Sequence, residues 1–462
     1  MRLGANLAAV TLALAVANAA SDSSSSSMAP IEVRGNAFFK KGSDKRFYIR
    51  GVDYQPGGTG ELVDPLADTE ICKRDVENFK ELGLNAIRVY TVDNTKDHDE
   101  CMKMLADAGI YLILDVNTPK ASISRFNTEC SYNANYLQHV FATVDAFQKY
   151  DNLLGFFAGN EVINDKDTTE TAPYVKAVVR DMKKYMKAKK YRKIPVGYSA
   201  ADVAENRVLA AQYFNCGDDE DARIDMLGVN DYSWCGSKTF RTSGYSEKMN
   251  LYEGYSVPIF LSEYGCNTMP GAREFGEVSS IFSEKMSSLF SGGLAFEYSM
   301  EGNNFGLVEI KGGKVKKLED FENLKKQYAE AKDPEGDAGY SKDGKPASCP
   351  PYDKGTWDAD TKLPEMPKDA EAFFKGKTPK PNSLDLETQS NCGGLKDSGD
   401  SSAKGGSSSS ASSASSGATA TAKAESSSSA APESSSSAAG AYNAARVPLA
   451  FYWVLGAASY LI

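Results

Sequence analysis

Between residues 47 and 298 two patterns alternate along the chain. Short runs dense in β-branched and aromatic residues read as strands, at Phe47–Asp53, Ala86–Thr91, Tyr111–Val116, Leu154–Asn160, Pro195–Tyr198, Asp225–Asn230, Pro258–Ser262 and Gly293–Tyr298. Each is followed by a stretch with apolar positions near helical spacing, over 70–82, 98–108, 136–150, 173–190, 203–213, 242–253, 273–290 and 317–330. Val175, Val178, Val179, Met182 and Met186 show the period. Strand–helix alternation repeated eight times over about 250 to 300 residues predicts an α/β fold, a (β/α)8 TIM barrel. A doubly wound open sheet shares the alternation, yet no GxGxxG follows the first strand and no Walker motif occurs.

Outside that window the pattern changes. Arg2, an apolar run from Leu7 to Val16 and Ala17-Asn18-Ala19 follow the order of a cleaved signal peptide, expected over 1–20. The run is too short for a hydrocarbon core of roughly 30 Å. Residues 401–438 are almost entirely Ser, Ala, Gly and Thr, too polar to offset the entropy of ordering, and predict a disordered, O-glycosylated stalk. The apolar tail Val447–Ile462 behind Ser437-Ala438-Ala439-Gly440 looks like a glycosylphosphatidylinositol (GPI) attachment signal, with 439–462 removed on maturation. A retained transmembrane helix is the alternative, against which stands a length below the usual ~20 residues. The expected organisation is then a catalytic barrel over 28–335, an extension over 336–400 packing partly on it, the stalk, and a lipid on the outer face of the plasma membrane or in the wall.

The 462 residues are 41% hydrophobic and 25% charged, with 24 Tyr and 21 Phe, which excludes a wholly disordered chain. Lys and Arg number 52 against 62 Asp and Glu, for a net charge of -10, and the lysines cluster only in short pairs such as Lys183-Lys184. No nucleic-acid partner is expected. With only His98 and His139, a His-rich zinc site or a Ser-His-Asp relay lacks raw material. Asp97, Asp99 and Glu100 around His98 open a helix and are not read as a metal site; neither metal nor cofactor is expected. Carboxylates are left to carry the chemistry. The eight cysteines contain no CxxC and suit disulfides in an oxidising compartment, with 105 possible pairings. No Asn-x-Ser/Thr acceptor occurs.

Catalytic groups in a (β/α)8 barrel sit at the C-terminal ends of its strands. Glu161 follows the fourth predicted strand directly after Asn160, and Glu263 follows the seventh. Two such carboxyls facing one another suit double displacement at a sugar, one attacking the anomeric carbon and the other protonating the leaving oxygen. Arg88 and Tyr90 at the second strand end can hold a nucleophile ionised. Asn160 can bond a sugar 2-hydroxyl. Tyr54, Tyr232, Trp234, Tyr264 and Phe305 offer flat faces to pyranose rings.

Four segments together carry a resemblance: Gly159-Asn160-Glu161-Val162, Ser262-Glu263-Tyr264-Gly265-Cys266-Asn267, Gly51-Val52-Asp53-Tyr54-Gln55-Pro56-Gly57-Gly58 and Asn230-Asp231-Tyr232-Ser233-Trp234-Cys235-Gly236. The chain resembles the fungal cell-wall β-1,3-glucanosyltransferases, glycoside hydrolase family 72, over about residues 30 to 350. The resemblance implies Glu161 as acid/base and Glu263 as nucleophile, with Gln55, Tyr90, Asp115, Asn160, Tyr232, Phe296 and Phe305 binding substrate. Family members often have Tyr at the last two positions, so a hydroxyl is lost there while an aromatic face remains. It also implies disulfides Cys72 to Cys101, Cys216 to Cys349 and Cys235 to Cys266; Cys130 and Cys392 are left over. Beyond Cys349 only Cys392 remains, too few for the cysteine-rich carbohydrate-binding module of longer members, so the shorter subfamily is implied.

Three readings follow. The first is a retaining transferase that cleaves an internal β-1,3-glucan bond and passes the new end to another glucan chain. The second is a hydrolase of the same fold, in which water intercepts the intermediate. The third is a non-enzymatic GPI-anchored wall protein, against which the intact Glu pair argues. Residue chemistry alone does not separate the first two, because the outcome depends on how the acceptor subsites exclude water; the resemblance favours the first.

Overall fold

The computed structural model describes residues 28–58 and 60–385. The predicted signal peptide, stalk and GPI signal lie outside them. The chain opens with an antiparallel three-stranded sheet, β1 (Ile31–Arg34), β2 (Ala37–Lys40) and β3 (Arg46–Phe47). The first βα unit follows, β4 (Ile49–Asp53) and α1 (Thr69–Leu82). Next come β5 (Ala86–Val89), α2 (Asp99–Asp107), β6 (Tyr111–Asp115), the single-turn α3 (Thr128–Ser131) and α4 (Ala134–Phe147). The second half adds β7 (Leu153–Asn160), α5 (Ala172–Ala188), β8 (Val196–Ala201), α6 (Arg207–Phe214), β9 (Met226–Asp231) and α7 (Tyr245–Leu251). The circuit ends with β10 (Ile259–Tyr264), α8 (Val278–Ile281), α9 (Glu284–Ser287), β11 (Phe290–Ala295), the hairpin β12 (Val308–Lys311) and β13 (Lys314–Lys317), and α10 (Glu319–Glu330).

Strands β4 to β11 form a closed barrel in sequence order, every neighbour parallel. The eight predicted strands are these eight. The helix expected over 273–290 divides into α8 and α9, and the last strand begins earlier than expected. There Gly292 has φ +87°, and a Cβ on it would meet the Ile49 carbonyl oxygen at 2.0 Å, so glycine lets β11 close against β4.

Local chemistry explains the helices that hold the barrel. Asp68 caps α1 by accepting from the Glu70 and Ile71 N–H groups, and Gly83 ends it with φ +72°. Cys72, Val76, Phe79 and Leu82 then form one buried stripe facing the sheet. Inside the barrel, Ile49, Ala86, Tyr111, Ile113, Leu154, Phe157, Met226, Phe260 and Leu294 fill the lower half, and Ile31, Phe38 and Phe47 from the N-terminal sheet plug it from below. That sheet has no counterpart among the predicted elements.

The extension after α10 wraps the outside of the helical ring. Trp357 is fully buried with its ring 5.5 Å from Tyr213, Phe373 lies 6.0 Å from Phe141, and Phe374, at the end of α11 (Glu371–Phe374), lies 5.8 Å from Tyr185. The Arg180 guanidinium donates to the Pro364 carbonyl at 2.9 Å, and the Asn382 N–H donates to Asn94 at 2.7 Å. Disulfides join Cys72 to Cys101, Cys216 to Cys349 and Cys235 to Cys266. Cys130 is also disulfide-bonded, and Cys392 lies outside the described residues.

Cys216 and Cys349 are 133 residues apart, so their bridge constrains a long loop of the unfolded chain. Replacing both with Ser is expected to cost about 2 to 5 kcal/mol. Thermal unfolding should show a lower Tm, and limited proteolysis should cut first between 350 and 385. An unchanged Tm with an unchanged cleavage pattern would mean that aromatic packing alone holds the extension.

Candidate active site

The barrel interior changes character along each strand. On β5 the inward positions run Ala86, Arg88, and Tyr90 just past the strand end; on β6 they run Tyr111, Ile113, Asp115. The period-two alternation that places apolar side chains at the bottom therefore places charge at the top of the same faces. Arg88 is fully buried and forms a bidentate pair with Asp115, both bonds 3.0 Å, while its Nη1 donates to Glu263 Oε1 at 3.3 Å. Its guanidinium lies 4.1 Å from the Tyr90 ring centroid and 4.8 Å from that of Phe157. Burial opposes the charge, but Asp115, Tyr90 and Glu263 hold Arg88 cationic.

Glu263 receives donors on both oxygens. Tyr90 donates to Oε1 at 2.8 Å and Tyr232 to Oε2 at 2.6 Å, besides the Arg88 contact. Burial, and then the charge of Glu161, push the Glu263 carboxyl up to about 7 against the pull of Arg88, Tyr232 and Tyr90. Burial likewise raises both phenols well above their usual range, so they stay protonated donors. The three donors on Glu263 favour its ionised form against burial and the charge of Glu161.

Glu161 follows β7 with φ +48°, in the left-handed region that a residue other than glycine adopts at a cost of about 1 to 3 kcal/mol. Neighbours hold it there. Its N–H donates to the Ser199 carbonyl at 2.8 Å, the Arg125 guanidinium donates to its carbonyl at 2.6 Å and to that of Val162 at 3.2 Å, and the Ile163 N–H donates to the Tyr198 hydroxyl at 3.0 Å. Asn230, at the end of β9, donates from Nδ2 to Glu161 Oε1 at 2.8 Å and to Asn160 Oδ1 at 3.1 Å. The Ser262 and Ser199 hydroxyls contact Asn230 Oδ1 at 2.7 and 3.0 Å. Gly228 is needed beside them, since a Cβ there would lie 2.5 Å from Ser262 Oγ and 2.8 Å from the Phe157 ring.

The structure brings Tyr90, Tyr232, Asn160, Glu161 and Glu263 into this one network. Asp115 is 1% exposed and turned to Arg88. Gln55 lies nearly buried at the end of the first barrel strand, with its amide nitrogen unpartnered among the described residues. Phe296 and Phe305 pack edge-on to Tyr232 with ring centroids 6.2 and 5.4 Å away.

Two expected sugar platforms are not available. Tyr54 is 1% exposed and donates to Asp75 at 2.6 Å, and Tyr264 is fully buried with its hydroxyl 2.7 Å from that of Tyr328. Each sits one residue from an inward position, Asp53 or Glu263, so alternation turns it to the opposite face. Trp234 is 7% exposed and packs on Tyr245. His98 is buried with Nε2 2.7 Å from Asp64 Oδ2, and Asp99 is engaged by Lys149 and Tyr150.

Sequence reasoning gave no role to three residues of this site. Asp53 is fully buried, and burial pushes its carboxyl well above the usual range against the pull of Arg88 and Tyr90. Burial likewise pushes Glu297 up to about 8, opposed by Asn303, which donates to it at 2.7 Å. The third is Asn230, which ends a predicted strand and opens one of the four segments that carry the resemblance, with no role assigned to it there.

Comparison with known proteins gives consistent matches. The glucanosyltransferase model of glycoside hydrolase family 72 matches residues 20–332. The chain is 60% identical over 392 residues to the 1,3-beta-glucanosyltransferase GAS5 of Saccharomyces cerevisiae, covering 85% of this chain and 81% of that one. It is 56% identical over 372 residues to the 1,3-beta-glucanosyltransferase gel1 of Aspergillus fumigatus, covering 79% and 81%. Among solved structures, Saccharomyces cerevisiae Gas2p in complex with laminaritriose and laminaritetraose superposes with a TM-score of 0.70 at 42% identity, over 75% of this chain and 79% of that one.

The donors on Glu263 predict a pH effect. Tyr232 lowers the proton affinity of Glu263, so Tyr232→Phe should raise it, and ionisation should then require higher pH. The acid limb of kcat/KM on a β-1,3-oligosaccharide should move upward by on the order of one pH unit, the equivalent of one charge-assisted hydrogen bond. A limb that stays put or moves downward would show that Tyr232 does not stabilise the carboxylate.

Proposed function

The chain belongs to the glucanosyltransferases of glycoside hydrolase family 72, and on that premise we propose which residues perform the transfer. The protein is a 1,3-β-glucanosyltransferase acting by transglycosylation. In the proposed mechanism Glu263 attacks the anomeric carbon of an internal β-1,3-linked glucosyl unit. The glycosidic C–O bond breaks as Glu161 gives its proton to the departing oxygen. A glycosyl ester on Glu263 and a shortened glucan with a free 3-hydroxyl result. Glu161, now a carboxylate, then takes the proton from the 3-hydroxyl of an acceptor glucan, whose oxygen attacks the anomeric carbon and releases Glu263. One β-1,3 linkage is broken and one formed, with net retention.

The observation that carries this reading is the donor set on Glu263. Two phenols and a guanidinium converge on that carboxylate, as a nucleophile that must stay ionised requires. Asn160 would bond the sugar 2-hydroxyl, and Gln55, Tyr90, Asp115, Tyr232, Phe296 and Phe305 would shape the donor cleft. Asp115 would act through Arg88.

Glu161→Gln and Glu263→Gln keep side-chain shape and remove the transferred proton or the nucleophile. Each is expected to lower formation of products longer than a defined β-1,3-oligosaccharide by at least about 100-fold, read by chromatography of the products. Transfer at the parent rate in either variant would overturn the assignment.

We infer the location from the ends of the chain. The barrel and its extension would stand outside the cell on an O-glycosylated serine stalk, with lipid attached near Ser437 to Gly440. Support comes from the order of charged, apolar and small residues at both ends. No helix among the described residues is long and apolar enough to cross a membrane. A phosphatidylinositol-specific phospholipase should release active protein from membranes. Retention after that treatment, with peptides from Val447 onward found by mass spectrometry, would contradict the anchor.

A further inference from the structure

We infer that Asn230 is a positioning residue for proton transfer, fixing which oxygen of Glu161 carries the proton. This rests on the reading of Glu161 as acid/base. Asn230 is 3% exposed and pairs in register with Glu263 on the neighbouring strand, so it lies between the two carboxyls.

Its amide has two chemically different edges, and the surroundings select one orientation. Hydroxyls donate or accept, so Ser199 and Ser262, whose oxygens lie 2.9 Å apart, could serve either edge. A carboxylate only accepts. Whenever Glu161 is ionised, the N–H edge of Asn230 must face it, and Oδ1 must face the two hydroxyls. The two amide hydrogens are then both assigned, one to Glu161 Oε1 at 2.8 Å and one to Asn160 Oδ1 at 3.1 Å. Asn160, accepting on its oxygen, keeps its own N–H edge for the substrate.

The consequence for the reaction concerns Oε1. That oxygen receives an N–H and so acts as the carbonyl oxygen when Glu161 is protonated, which puts the mobile proton on Oε2. The same Oε2 gives its proton to the leaving glucan in the first half of the reaction and takes it from the acceptor hydroxyl in the second. Asn230 touches neither substrate nor the attacked carbon in this account. Its effect should scale with how much the step depends on proton transfer.

Two donors separate that effect from a merely structural one. A β-1,3-oligosaccharide needs protonation of its leaving oxygen, whereas an aryl β-laminarioside with a good phenol leaving group does not. Asn230→Asp keeps the volume and the acceptor for Ser199 and Ser262 but puts an oxygen where Glu161 needs a donor. Asn230→Ala removes both edges and serves as the second variant, and each is checked against the parent Tm. Both are expected to lose about 100-fold on the oligosaccharide and less than about 10-fold in the first-turnover burst of phenol, with Glu161→Gln showing the same split. Asn160→Ala should depress both donors alike, since it removes a sugar contact. If Glu161→Gln shows the split and the Asn230 variants lose both donors equally, or keep parent transfer on the oligosaccharide, the inference fails alone. If Glu161→Gln itself shows no split, the acid/base assignment fails and the inference falls with it.

Discussion

A guanidinium with no access to water holds this site together. Arg88 is enclosed by the rings of Tyr90 and Phe157 and satisfied by the Asp115 carboxylate and by Glu263. Removing a cation from water costs several kcal/mol even after relaxation, so the arrangement persists only because its partners are equally fixed. Those partners come from four strands, β5, β6, β7 and β10. A closed parallel barrel is what brings strands so distant in sequence to one dry mouth. The apolar layers below and the N-terminal sheet that plugs them keep water from entering the interior from beneath and screening the pair. With Arg88 in place, Glu263 can be buried and still carry charge. Without it, the buried Glu263 carboxylate would have only two phenols to support it.

The other half of the site is fixed by backbone and amide rather than by charge. Glu161 occupies a left-handed conformation that Arg125, Ser199 and Tyr198 hold from three sides. Such strain is tolerated where surrounding bonds over-determine the geometry, and it aims the carboxyl at the mouth rather than along the strand. Asn230 completes the link, since its two edges join β7, β8, β9 and β10 in one hydrogen-bonded patch. The Glu263 side is thus secured by a buried ion pair and the Glu161 side by a rigid amide. The two supports suit the roles proposed above, in which one carboxyl stays charged and the other changes protonation twice per turnover.

The barrel was legible in the sequence because each strand carries a dense apolar run and each major helix an apolar stripe, both local signals. The placement of Glu161 and Glu263 at strand ends was legible because each directly follows or closes a predicted strand. What escaped notice had no local signal. The N-terminal sheet contributes only a few apolar side chains, Ile31, Phe38 and Phe47 among them, within short polar segments. The extension was expected to pack partly on the barrel, but its anchors Trp357, Phe373 and Phe374 are spaced irregularly and dock on partners hundreds of residues away in some cases, so which residues carry it had no local signal. Tyr54 and Tyr264 were read as sugar platforms because they neighbour site residues, although strand alternation already directs them to the opposite face. Asn230 lies in a segment that carries the resemblance, but it has no charge; only the register between β9 and β10 and its amide contacts show that it pairs beside Glu263 and bonds Glu161.

The most direct test of the account is to trap the intermediate on the carboxylate that Arg88 supports. An activated 2-deoxy-2-fluoro β-1,3-glucoside slows both halves of the reaction and lets the glycosyl ester accumulate. The account predicts that peptide mass spectrometry will find the fluorosugar on Glu263, with transfer activity lost in proportion to labelling. A label on another carboxyl, or inactivation with no covalent sugar at all, would contradict it.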